Sequence, residues 1–112
     1  MTVNDIREII EAATVCGDGN KAFNGVYVGD LLSRAMSHVE SDNLWITIMS
    51  NVNVVAVASL TEPAAIILAE GVELGEAEIQ KASENGITVL STPLSAYEIC
   101  VRIGRAAEDK NL

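Results

Sequence analysis

The stretch Leu44–Leu60, "LWITIMSNVNVVAVASL", decides the fold. Its first half is rich in β-branched and aromatic residues and reads as a buried strand. Its second half, "NVNVVAVASL" (51–60), reads two ways. The four valines favour a strand, and a hairpin through Ser50-Asn51 would pair it with the first half. Yet "PAAIILA" (63–69) is a clearer next strand, and successive parallel strands need a crossover, normally helical. Val54, Val55 and Ala58 also fit helical spacing, and Asn51 or Asn53 is a suitable cap. Connectivity and spacing therefore predict a helix over 51–60, against β propensity.

The rest of the chain falls into place around this unit. Ile6, Ile9, Ile10 and Ala13 recur at helical spacing, which predicts an amphipathic helix over 4–13 capped by Thr2 or Asn4. Thr14–Cys16 reads as a short strand before a Gly/Asp/Asn loop. "VYV" (26–28) is the next strand, and Asp30 is the expected cap of a helix "LLSRAMSHV" (31–39). "GEAEIQKASENG" (75–86) is a helix closed by Gly86. "ITVLST" (87–92) is a strand, and "PLSAYEICVRIGRAA" (93–107) is a terminal helix with Pro93 near its start. Residues 1–107 form one domain, with a frayed tail expected over 108–112. Strands alternating with helices imply a single α/β layer domain with a mostly parallel sheet.

The composition agrees. Only four residues are Phe, Trp or Tyr in a chain that is 49% hydrophobic, so the core is aliphatic, as buried parallel sheets are. The net charge of −9 repels phosphate backbones and argues against nucleic-acid binding. Cys16 and Cys100 lie far apart with no ligand-spaced partner, so neither a disulfide framework nor a metal site is expected. Charges interrupt the N-terminal apolar stretch, and no apolar run reaches the roughly 18 residues of a membrane helix. The expectation is a soluble, cytoplasmic protein.

Two segments resemble the DRTGG domain in order and spacing: Gly25-Val26-Tyr27-Val28-Gly29-Asp30-Leu31-Leu32-Ser33 and Leu90-Ser91-Thr92-Pro93-Leu94-Ser95-Ala96. The likeness spans roughly residues 20–103, with "LWITIMSNVNVVAVASL" and "AIIL" between them. It implies an α/β domain related to the N-terminal domain of HPr kinase/phosphorylase. Similar domains occur between CBS domains in some family II pyrophosphatases, in some phosphotransacetylases, and as stand-alone proteins, some encoded beside iron-only hydrogenases. In none of these is the domain the established catalytic part. The namesake motif is degraded: Lys21-Ala22-Phe23-Asn24-Gly25 stands in its place, and only Gly25 matches.

Candidate sites follow from position. Gly29-Asp30 is either an anion-binding turn or the corner of a strand entering a helix; an aspartate there would itself occupy the anion position, which favours the corner. Ser91, Thr92 and Ser95 join a strand end to a helix start, where open α/β sheets bind ligands; capping of the last helix by Thr92 or Ser95 is the competing role. Ser50, Asn51 and Asn53 end another strand on the same rim. With Gly29 these form the candidate ligand site. No catalytic residue, cofactor or metal is expected: no Gly-Lys-Ser or Gly-Lys-Thr cradle exists for phosphoryl transfer. His38 reads as a surface residue at a helix C-terminus, and the two cysteines as small core residues.

The leading expectation is a non-catalytic regulatory or association module, homodimeric, sensing a small anionic or nucleotide ligand. The alternatives are a small enzyme acting on an anionic metabolite at the Ser91–Ser95 rim, or a structural subunit of a larger, hydrogenase-related complex. The dimer expectation rests on aliphatic surface in excess of what one sheet and five helices hide. Val26, Tyr27 and Leu31 are its candidate interface, apolar at the centre and strengthened by salt.

Overall fold

A computed structural model describes residues 1–109. Its elements are α1 (Val3–Ile9), β1 (Ala13–Cys16), β2 (Val26–Val28), α2 (Leu32–His38), β3 (Leu44–Thr47), α3 (Val52–Thr61), β4 (Ala65–Leu68), α4 (Glu76–Glu84), β5 (Val89–Ser91) and α5 (Ala96–Asp109). The five-stranded sheet runs β1-β5-β4-β3-β2. Strands β2 to β5 are parallel, and β1 alone is antiparallel, against β5. This is the expected α/β domain with a mostly parallel sheet.

Side-chain alternation divides the core into two layers. Leu44, Ile46, Ala65, Ile67 and Leu90 face α1 and α5, where Val3, Ile6, Ile10, Ile99 and Ile103 cover them. Trp45, Ile66, Leu68 and Val89 face the other way, onto Ala35 of α2, the valines of α3 and Ala82 of α4. Strands β3 and β4 are buried at every position, because helices lie on both faces. That is why "AIIL" is continuously apolar rather than alternating.

Residues 52–61 are helical, as the connectivity demanded. Asn51 caps α3, its side chain accepting from the Asn53 N–H at 2.9 Å. Val54, Val55, Val57 and Ala58 are buried against the sheet. A valine in a helix interior costs up to about 0.7 kcal/mol relative to alanine. Burying its side chain contributes about 1.5–3 kcal/mol, so packing outweighs propensity. Glu62 then enters the left-handed region at φ 55° and Pro63 prevents continuation.

Three local expectations are corrected. The first helix stops at Ile9, short of Ala13: Ala13 pairs with Ser91 in the sheet, and the chain turns through Glu11 at φ 54° to reach it. Thr2, with Asp5, forms a capping box at its start. Asp30 does not cap α2, whose N-cap is Leu31 without a side-chain bond; its carboxylate crosses to β3 instead. Strand β3 ends at Thr47 rather than Ser50, because the Thr47 hydroxyl accepts from the Met49 N–H at 3.2 Å and turns the chain. Gly86 closes α4 at φ 69°, as expected. Of the tail expected over 108–112, Glu108 and Asp109 are the last residues of α5, and residues 110–112 lie outside the described residues.

Candidate functional site

The parallel strands bring Gly29, Ser50, Asn51, Asn53, Ser91, Thr92 and Ser95 to one end of the sheet. At β4 and β5 this end has the feature that opens a ligand crevice in other α/β sheets: the chain leaves β4 for α4 on one face and β5 for α5 on the other. Here main-chain hydrogen bonds close the gap. Gly71 N–H donates to Thr92 O (2.9 Å) and Glu70 N–H to Leu94 O (2.9 Å).

The hydroxyls at this point are turned to structural work. Thr92 is 1% exposed; its hydroxyl donates to Ile10 O at 2.6 Å and accepts from Leu94 N–H at 3.2 Å. It ties the end of α1 to the β5–α5 turn. Ser91 donates to Val72 O at 3.2 Å. Ser95 caps α5, accepting from Glu98 N–H at 3.2 Å. Asn51 is engaged in capping α3, while Ser50 and Asn53 are exposed. We predict that Thr92→Val, which keeps the shape and removes the hydroxyl, lowers stability by about 1–3 kcal/mol. Urea denaturation checks this: a change below a few tenths would mean that the Ile10 carbonyl finds another donor.

Gly29-Asp30 is a corner, built from three contacts. The Asp30 carboxylate accepts from the Thr47 hydroxyl (2.9 Å) and the Ile48 N–H (3.0 Å), stitching β2 to β3. The Gly29 carbonyl accepts from Trp45 Nε1 at 3.1 Å. A Cβ on Gly29 would stand 2.9 Å from the Tyr27 ring, so glycine here makes room for Tyr27. That ring in turn stacks on His38, centroids 6.2 Å apart. His38 Nδ1 lies 2.9 Å from both Arg34 O and Ser37 Oγ, all within the end of α2 or its neighbouring strand.

The degraded motif segment lies at the opposite end of the sheet, before β2. Lys21 pairs with Asp42 at 3.0 Å, Ala22 bridges to Thr2, and the Asn24 side chain accepts from Asn43 Nδ2 at 3.2 Å. Beside it is an apolar cavity of about 400 Å³ between this segment and α5, lined by Met1, Phe23, Val26, Cys100, Ile103 and Gly104 among others. Sequence reasoning missed it, because it joins residues from both ends of the chain. Burial pushes both thiols, Cys16 and Cys100, above the ordinary thiol range; a Val89 backbone hydrogen bond partly offsets this at Cys16. Both are therefore protonated, poor nucleophiles at neutral pH. Among the described residues no group of three or more His, Cys, Asp or Glu is placed to hold a metal ion, and no helix is long and apolar enough to cross a membrane.

The model of the DRTGG domain matches residues 5–106. The chain belongs to the DRTGG domain family. Among solved structures, a similar one is the CBS and DRTGG domain regulatory region of Clostridium perfringens pyrophosphatase, complexed with its activator, diadenosine tetraphosphate. The TM-score is 0.73 at 16% sequence identity, over 91% of this chain and 45% of that one. The likeness at this identity is one of fold, and the DRTGG chain spans under half of the pyrophosphatase region. Among curated proteins no sequence matches it.

Proposed function

We propose that this DRTGG domain is a non-catalytic regulatory module that works by association, as a homodimer, and senses a small anionic or nucleotide ligand. The observation that carries the reading is the company its fold keeps: a solved neighbour is a regulatory region complexed with a nucleotide activator. Two features of the chain support it. The rim hydroxyls an enzyme would use as nucleophiles or binding groups, Ser91 and Thr92, are spent on Val72 and Ile10 carbonyls. The sheet edge carries exposed apolar side chains, Val26 (41%), Val28 (48%) and Leu31 (62%), suited to association.

The ligand contacts on this reading are the exposed rim groups Ser50 and Asn53, with Ser95 and Gly29 flanking them. Kinase chemistry is outside it, because no Gly-Lys-Ser or Gly-Lys-Thr cradle exists in the sequence. Incubation of the purified protein with γ-labelled ATP and serine-containing acceptors is expected to transfer no phosphate. Transfer that persists through repurification and disappears in an Asn53→Arg variant would overturn the non-catalytic reading and favour an enzyme at the rim.

A further inference from the structure

Strand β2 is the outermost strand of the sheet and pairs on one side only, with β3. Leu44 N–H donates to Gly25 O (2.8 Å) and Gly29 N–H to Ile46 O (3.2 Å), so residues 25, 27 and 29 turn their backbone groups towards β3. Direction alternates along a strand, and the N–H and C=O of Val26 and Val28 therefore point outward, away from the sheet. Natural edges of this kind are blunted by charge, proline or a bulge. None is present here: Phe23–Gly29 holds no charged residue and no proline, and the β2–β3 register is unbroken.

We propose that β2 pairs antiparallel with β2 of a second copy, about a two-fold axis through Tyr27, joining two five-stranded sheets into one. The inference rests on the homodimer proposed above and supplies its geometry. Residues 25–29, Gly-Val-Tyr-Val-Gly, read the same in both directions. In this register Val26 of one copy faces Val28 of the other, Tyr27 faces Tyr27, and glycine faces glycine. Each valine pair exchanges two backbone hydrogen bonds, because these are the residues whose groups point outward. Facing β-branched side chains are favourable cross-strand pairs. Val26 and Val28 share the sheet face of their register partners Leu44 and Ile46, which α5 covers. The partner's Val28 therefore lies beside Val26 at the apolar cavity. Leu31 comes level with the partner's Phe23-Asn24 segment.

The self-complementary run Gly25–Gly29 selects a second copy as the occupant, and the charge distribution permits it. Two chains of net charge −9 repel wherever their acidic surfaces meet. The uncharged strip is where like-charged copies approach without opposing carboxylates, and screening by salt strengthens the contact.

Two variants test the pairing. Val28→Lys places a charge on an exposed edge position; it is expected to weaken the dimer about a hundredfold in sedimentation velocity, with circular dichroism and melting of the monomer intact. Tyr27→Cys is expected to give a disulfide between the two position-27 cysteines under mild oxidation, identified by peptide mass. Facing residues of a non-hydrogen-bonded antiparallel pair have Cα atoms about 4.5 Å apart, within disulfide reach. A wild-type protein that is monomeric at micromolar concentration and high salt overturns both the homodimer and this geometry. A dimer that survives Val28→Lys and forms no such disulfide overturns the geometry alone. Nucleotide binding measured on Val28→Lys keeps the sensing reading separate from either result.

Discussion

Trp45→Ala is expected to cost about 3–5 kcal/mol of folding stability, against a total of about 5–15 kcal/mol for a domain of this kind. Trp45 is the single tryptophan, has no exposed surface, and stands in the layer between the sheet and α2, α3 and α4. Its removal leaves a cavity in a layer built mainly of alanine, valine and isoleucine side chains, which are too short to fill it. It also strands the Gly29 carbonyl, which now accepts from the indole N–H at 3.1 Å. Trp45→Phe helps to separate the two effects: it retains most of the bulk while losing the bond, whose loss costs about 1–2 kcal/mol. Guanidinium denaturation followed by circular dichroism checks both. An alanine variant within about 1 kcal/mol of the parent would show that the α2–α4 layer is not packed as described.

Gly17→Ala is expected to destabilise by about 3 kcal/mol, an unusual sum for adding one methyl group. Gly17 follows β1 at φ 88°, in the left-handed region that side chains disfavour. A Cβ there would stand 2.5 Å from the Thr88 Cα, main chain of the neighbouring segment that cannot swing aside. The register between β1 and β5 already shifts between Thr14 and Cys16, so the glycine lets the bulged strand end pass close to residue 88. Relief would require β1 to part from β5. The expected signature is faster amide exchange in β1 relative to β3 and β4, alongside the lowered midpoint. Unchanged stability would mean that the 17–20 loop moves freely away from Thr88.

Much of the fold was legible because the elements are separated by unambiguous signals. Gly86 ends α4, and "AIIL" is too short and too apolar to be anything but a buried strand. The helix at 52–61 was legible only through connectivity. Val52 (46%) and Leu60 (69%) are exposed on α3, so the segment is apolar on its outer side as well and shows no clean amphipathic face. The direction of β1 was not legible, since nothing in Ala13–Cys16 distinguishes a parallel from an antiparallel partner. At the rim, position could be read but employment could not. Thr92 gives its hydroxyl to a carbonyl 82 residues away, and Asp30 bonds a threonine 17 residues on. Both look like caps in the local sequence, and tertiary neighbours decide otherwise.

The central claim, a sensor that binds without turnover, is tested most directly by calorimetric titration of the purified protein with diadenosine tetraphosphate and mononucleotides, with product analysis of the same samples. The expected result is saturable binding, a melting temperature that rises with the logarithm of ligand concentration above the Kd, and recovery of every nucleotide unchanged. Consumption of any of them, or the absence of a binding heat and of a melting shift across nucleotides and small phosphorylated metabolites alike, would contradict it.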